Sequence, residues 1–407
     1  MINLEATKHK IRSHASFGVM AIGAISIFVI NFVLKHVMGP ADYGKYTVLM
    51  TYLSALISFG FLGFDQIVVR LSNVVDQIVY INRKLIYYIL ISGLITALFA
   101  ACIAYLTYIA TDSFIQLFVI FLLSNFIYLV STVNRLKSQF VLSQVCSHAW
   151  KFFLLFYVIN AVVTSGKLTY LEVTFAITIS MIFCGLIALV TCCRSKIRGC
   201  DDTNNNSKLL VGFILSIAII TYLNYFDRLI INNKVGLIEV GDYFYLQNFF
   251  SYPFVLISTY VGFKEMIYFK THISMDIVRT KIIHAIKLGI ALLLLITVMV
   301  TVVQLKYHNL SVTVYDAPLI IIMSITSVIR LIYSVLSSVM GAIGTSHAVL
   351  TSNIVSGVSV LVGTLIVIAY LKSIIMIAFI FAVFWTIRTI TYYYQIRGFI
   401  YEYRESD

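Results

Sequence analysis

Charge is scarce in this sequence. Of its 407 residues only 11% are Asp, Glu, Lys or Arg, while 60% are apolar and the mean hydropathy is +0.96. Soluble domains carry about 25% charged residues, so an ordinary soluble protein is excluded. Proline occurs only three times, and acids are outnumbered 17 to 29 by Lys and Arg. The signatures of soluble catalysis are missing too: there is no GxxxxGK[ST] phosphate loop, no HExxH and no GxSxG. Of six cysteines, Cys192, Cys193 and Cys200 share one stretch with no histidine pair beside it, so no zinc site is expected. We expect no cofactor of any kind and no enzymatic activity. The three thiols are assigned to the cytoplasm, where they stay reduced.

What the chain does have is a succession of uncharged runs of about 20 residues, each long enough to cross a bilayer as a helix. The ten-residue polar alternation of a membrane barrel is absent. Twelve spans are expected, at 15–37, 46–64, 85–109, 114–133, 146–164, 168–191, 209–231, 243–263, 282–305, 317–340, 350–371 and 374–395. The fifth and ninth are the weakest, because Lys151, His284 and Lys287 intrude. Lys8, Lys10 and Arg12 precede the first span and no small-residue cleavage site comes before Lys35, so that span reads as retained. With both termini in the cytoplasm, the inner segments hold 21 of the 29 Lys and Arg, the outer loops 7, and Arg330 lies mid-span. That bias is the positive-inside signal. The net charge of +12 therefore reads as topology, and no nucleic-acid partner is expected.

The chain also repeats itself. At a constant offset of 197, Gly39, Asp42, Gly44 and Tyr46 of MGPADYGKY fall on Gly236, Glu239, Gly241 and Tyr243 of VGLIEVGDY. Ser-His-Ala recurs at Ser147 and Ser346, at nearly the same offset. The expected organisation is an all-α membrane protein of two pseudo-symmetric six-helix lobes, 1–191 and 209–407, with a cytoplasmic joint at 192–208. An even number of spans per half makes this a parallel repeat, with its pseudo-symmetry axis along the membrane normal and a V-shaped pair of lobes expected to rock. Both repeated turns fall on the outer side, where glycine permits a tight reversal and Pro40 interrupts the helix.

Two stretches carry a family resemblance. Asn224 to Tyr243, NYFDRLIINNKVGLIEVGDY, resembles the seventh-span signature of the bacterial polysaccharide flippases, with Asp-Arg inside an apolar helix followed by Gly, an acid, Gly and Tyr. Val37 to Arg70, with MGPADYGKY and then GFLGFDQIVVR, resembles their first hairpin and second-span exit. In span count and topology the chain is similar throughout to Wzx-type O-antigen translocases of the multidrug/oligosaccharidyl-lipid/polysaccharide (MOP) exporter superfamily. The resemblance implies a substrate, an undecaprenyl-pyrophosphate-linked oligosaccharide repeat unit, moved from the inner to the outer leaflet of the bacterial inner membrane. It also implies as partners the membrane lipids and the polymerase and chain-length regulator of O-antigen assembly. Two other classes stand beside it: a polytopic O-antigen polymerase, disfavoured by short outer loops, and a small-molecule or drug antiporter of the same superfamily.

An ionisable group inside a span is a candidate for function, because it is costly unless solvated or paired. Arg330 lies 12 residues past Pro318, about 18 Å down its helix and near the midplane. Its planar fork suits pyrophosphate oxygens. With Arg388, Lys287 and Arg228 it forms the expected cationic substrate site; bonding to a neighbouring helix is the alternative for Arg330, and snorkelling for Arg388 and Lys287. Asp65, Arg70, Asp227, Lys264 and Glu265 are the candidates for gating or for proton or sodium coupling, with interface anchoring as the alternative for Asp65, Arg70, Lys264 and Glu265.

Overall fold

A backbone in hydrocarbon must satisfy its N–H and C=O groups within its own segment, and the uncharged runs do so as helices. The computed structural model describes residues 2–75, 78–107, 113–194, 197–200, 207–269, 273–307, 316–370 and 372–405. Its helices are α1 (Ile2–Val37), α2 (Pro40–Phe59), α3 (Phe64–Leu71), α4 (Arg83–Thr107), α5 (Phe114–Leu136), α6 (Phe140–Ser165) and α7 (Tyr170–Cys193), then α8 (Ser207–Lys234), α9 (Leu237–Phe250), α10 (Tyr252–Phe269), α11 (Met275–Tyr307), α12 (Ala317–Ile343), α13 (Ser346–Tyr370) and α14 (Ile374–Glu405). Among the described residues ten of them, α1, α4–α8 and α11–α14, are long and apolar enough to cross a membrane. The chain is a multi-pass membrane protein. It packs as two units, Met1–Thr221 and Tyr222–Asp407, divided within α8.

The second and eighth of the expected spans are each broken in two, and both follow the repeated turn. In the first unit α2 ends at Gly60, and the chain passes through Leu62 (φ 49°) and Gly63 (φ 82°) before α3 starts. The freed carbonyl of Gly60 accepts a hydrogen bond from Thr96 Oγ1 on α4 at 2.6 Å. In the second unit α9 stops at Ser251, and Pro253 stands in the first turn of α10. Proline has no N–H to offer the preceding turn and its ring crowds it. Ser327 Oγ on α12 donates to the carbonyl of Phe250 at 2.9 Å. Each break is thus satisfied by a hydroxyl from another helix, as buried backbone requires.

The repeated turn also closes in the same way twice. Tyr46 OH donates to Asn31 Oδ1 on α1 at 2.7 Å, and Tyr243 OH donates to Asp227 Oδ2 on α8 at 2.8 Å. The glycines of the two turns do different work, however. Gly39 sits at φ −62°, open to any residue, with Pro40 in the first turn of α2 where proline is tolerated. Gly236 sits at φ 151°, and there the left-handed backbone does require glycine.

Strands were not expected, yet a small sheet forms where α3 and α7 end and α4 begins. β1 (Asn73–Val75) pairs antiparallel with β2 (Ile78–Asn82), and β3 (Ile197–Cys200) lies parallel to β2 with Ile197 opposite Val79. Period-two alternation turns Val79 and Ile81 inward, onto Phe61, Val68, Ile89 and Val133. The stretch read as the joint at 192–208 therefore has its Ile197–Cys200 segment fastened to the first unit.

Candidate functional site

Charge inside the second unit gathers around α8. Asn224, Asp227 and Arg228 stand at i, i+3 and i+4, so their side chains share one side of the helix. Opposite, Tyr243 and Gln247 are four apart on α9. Asp227 and Arg228 are each only 5% exposed, and Gln247 joins them. Its Oε1 accepts from Arg228 Nε at 2.6 Å while its Nε2 donates to Asp227 Oδ2 at 2.8 Å. Asp227 also takes the Tyr243 hydroxyl and, through Oδ1, the backbone N–H of Arg228 at 2.8 Å. Its carboxylate therefore accepts three hydrogen bonds. The Arg228 guanidinium lies 4.9 Å from the ring centre of Phe244 and 5.7 Å from that of Tyr225. Arg228 Nη1 is buried with no hydrogen-bond partner among the described residues.

One turn before Asp227, Asn224 Oδ1 accepts from Arg330 Nη2 on α12 at 2.5 Å. The other face of that guanidinium covers the indole of Trp385 on α14, 5.1 Å from its centre. The indole N–H is held in turn by the carbonyl of Leu223 at 3.3 Å. Trp385 meets Tyr333 edge-on at 5.3 Å, and Tyr333 OH accepts from Arg388 Nε at 3.0 Å. Arg388 Nη2 donates to Tyr392 OH at 3.1 Å. A continuous chain of contacts therefore runs from Asn224, one turn before Asp227, through Arg330, Trp385 and Tyr333 to Arg388.

Of the four residues expected to bind substrate, the fold brings three together. Arg228, Arg330 and Arg388 belong to one array on α8, α12 and α14, whereas Lys287 does not join it. Lys287 and His284 are exposed on α11, on a face shared with the exposed Leu288 and Ile290. Arg388 is fully buried, at 0% exposure, and is not snorkelled to a surface. Arg330 is half-buried, which leaves it the most open guanidinium of the array. It bonds the side-chain amide oxygen of Asn224 on a neighbouring helix, the kind of bond named as its alternative.

The gating candidates are spread out. Asp65 is buried in the first unit, where Tyr128 OH donates to its Oδ2 at 3.3 Å. Glu265 forms an ion pair with Lys281 on α11 at 2.8 Å, and the same ammonium lies 4.7 Å from the ring centre of Tyr268. The side chains of Arg70 and Lys264 lie outside the described residues. Among the described residues no three metal-ligating side chains meet. Reading the sequence for charge overlooked the neutral members of the array. Gln247 follows the repeated Tyr243 by one turn, and Trp385 precedes Arg388 by three residues, but spacing alone does not tell a cation platform from core packing.

No protein-family model and no curated protein matches the sequence. Solved structures do. The chain is similar to an outward-facing multidrug resistance MATE family transporter of the MOP superfamily, with a TM-score of 0.57 and 12% identity over 98% of this chain and 97% of that one. It is equally similar to an inward-facing one, with a TM-score of 0.57 and 10% identity over 98% and 99%. A third is a MOP superfamily transporter from Pyrococcus furiosus Vc1, described as having a binding pocket of reverse polarity. It gives a TM-score of 0.56 and 11% identity over 98% and 95%. Coverage is nearly complete on both sides, so the likeness extends over both units and all twelve span positions. The chain has the fold of the MATE transporters of the MOP superfamily.

Proposed function

We propose that this protein is a flippase that moves an undecaprenyl-pyrophosphate-linked oligosaccharide repeat unit across the cytoplasmic membrane. The observation that carries the reading is the sign of the buried charge. In the second unit three guanidinium groups, Arg228, Arg330 and Arg388, share one array with a single carboxylate, Asp227, which already accepts from three donors counting the Arg228 backbone. Only two of those donors, Tyr243 and Gln247, come from another helix. An excess of fixed positive charge inside hydrocarbon calls for an anion, and a diphosphate presents planar sets of oxygens to a guanidinium fork. Arg330 makes the direct contact, since it is the least buried of the three and Trp385 holds its plane. Arg228 and Arg388 set the local potential. The sugar headgroup needs a protein path to cross, because each hydroxyl left unpaired in lipid would cost several kcal/mol.

The membrane potential supplies a drive. Carrying two negative charges outward across an inside-negative membrane is favourable by about 4.6 kcal/mol per 100 mV. The second reading, drug antiport, is supported by the fold, because solved structures sharing it are named as multidrug resistance transporters. A site selecting a cationic drug would need a carboxylate to meet it, and Asp227 is already held by three donors.

The test replaces Arg330 in cells whose own copy is deleted. Arg330→Ala is expected to abolish surface polysaccharide and to leave lipid-linked repeat units in the inner leaflet, at unchanged protein level. Normal export by the variant removes Arg330 from the site. Drug resistance on expression, with surface glycan unaffected by deletion, replaces the flippase reading by antiport.

A further inference from the structure

We propose that Lys151 is an anion-recognition residue of the first unit, with His148 as the side chain that positions it. The inference rests on the reading that the substrate is a phosphate-bearing anion. Lys151 lies 11 residues into α6 and 14 from its end, about 17 and 21 Å from the two termini of the helix. Arg330 stands 13 residues from either end of α12, about 20 Å from each. Each unit therefore carries one half-buried cation near the middle of a spanning helix.

The surroundings of Lys151 are specific. Gln144, His148 and Lys151 follow one another at i, i+4 and i+7, a polar stripe along an otherwise apolar helix. Lys151 Nζ donates to His148 Nδ1 at 2.9 Å. An ammonium is donor only, so the imidazole is neutral and carries its proton on Nε2, which points at Gln144 Oε1 at 3.1 Å. The ring is also held from α1: a Cβ on Gly23 would come within 2.7 Å of His148 Cβ and Cγ. With Gly23 on one side, Gln144 on another and Lys151 on a third, the imidazole has little freedom to turn.

Two features separate this arrangement from ordinary snorkelling. A snorkelling lysine extends its head to the polar boundary, whereas this one is tied to a partner still about 12 Å from the start of α6. Nor does a carboxylate offset the charge: among the described residues the contacts of Lys151 are His148 and, 5.8 Å away, the Trp150 ring, and no acid acts on it. Two N–H donors of the ammonium remain. A phosphate oxygen of the translocated headgroup, or a free phosphate, would complete them.

The test titrates purified protein with inorganic pyrophosphate by calorimetry, wild type against Lys151→Met, a neutral side chain of similar length. The expected result is affinity weakened roughly 10- to 100-fold, the range for losing one hydrogen bond to a charged group. The ligand-free variant should melt at the same or a higher temperature, because removing a charge at mid-depth relieves its cost. A purely structural lysine would do the reverse, lowering the melting temperature and leaving affinity unchanged, and that result overturns the proposal. Gly23→Ala gives a second reading that keeps the charge: by displacing His148 it should weaken pyrophosphate binding, and unchanged binding counts against the positioning role. If Arg330→Ala loses pyrophosphate and Lys151→Met does not, only this inference falls. If wild-type protein binds no pyrophosphate, the anionic-substrate reading falls with it.

Discussion

Removing a single hydroxyl from each copy of the repeated turn should separate its two versions. Tyr46 and Tyr243 occupy equivalent positions, both are buried, and each donates to the helix that precedes its turn. The acceptors differ. Asn31 is a neutral amide, whereas Asp227 is a carboxylate only 5% exposed. A neutral intramolecular hydrogen bond contributes about 0.5–1.5 kcal/mol net and one to a charged group about 1.5–3. Tyr243→Phe should therefore destabilise the protein by about 1.5–3 kcal/mol, towards the lower figure because Gln247 Nε2 and the Arg228 backbone N–H still hold the carboxylate. Tyr46→Phe should cost about 0.5–1.5 kcal/mol. Phenylalanine keeps the ring and its packing, so the difference isolates the hydroxyl. Thermal or denaturant unfolding of both variants in the same detergent measures it. A loss for Tyr46→Phe equal to or greater than that for Tyr243→Phe would refute the claim that the second turn is locked by charge.

Gly39→Ala should leave stability within about 0.5 kcal/mol, since its φ is −62° and nothing lies within 4 Å of the added Cβ; Gly236→Ala, at φ 151° and 2.6 Å from Glu239 Oε2, should cost about 1 kcal/mol or more. The same unfolding assay compares the pair. Ser327→Ala and Thr96→Ala should each cost about 1–3 kcal/mol, because each strips the hydroxyl from a carbonyl exposed by a helix break. Faster hydrogen exchange confined to α9–α10 in the first variant and to α2–α3 in the second would show the loss to be local. Export by Arg330→Ala and pyrophosphate binding by Lys151→Met are the functional counterparts.

Much of the architecture was legible because the bilayer simplifies the code. Length and hydropathy located all twelve span positions, the repeated turns, and the cations lying deep in spans. The breaks at Gly60–Gly63 and Ser251 were missed, since hydropathy carries no information on backbone continuity. Pro253 was the one visible signal. The sheet was missed because β2 and β3 are separated by over a hundred residues and are too short to register as apolar runs. For the charged groups the position was readable and the company was not. Arg388 was balanced between surface and interior, and only the packing of Tyr333 and Tyr392 buries it. Glu265 found Lys281 on the next helix.

The amino-acid sequence by itself determined that this chain is a helical, multi-pass membrane protein with an internal repeat, because hydrocarbon leaves the polar backbone of an apolar segment few alternatives. Which charges meet was decided by the tertiary structure alone. Helix rotation and side-chain packing gathered Arg228, Arg330 and Arg388 into one array across α8, α12 and α14 and turned Lys287 away, and rotation about a helix axis is a property of the neighbours, not of the segment.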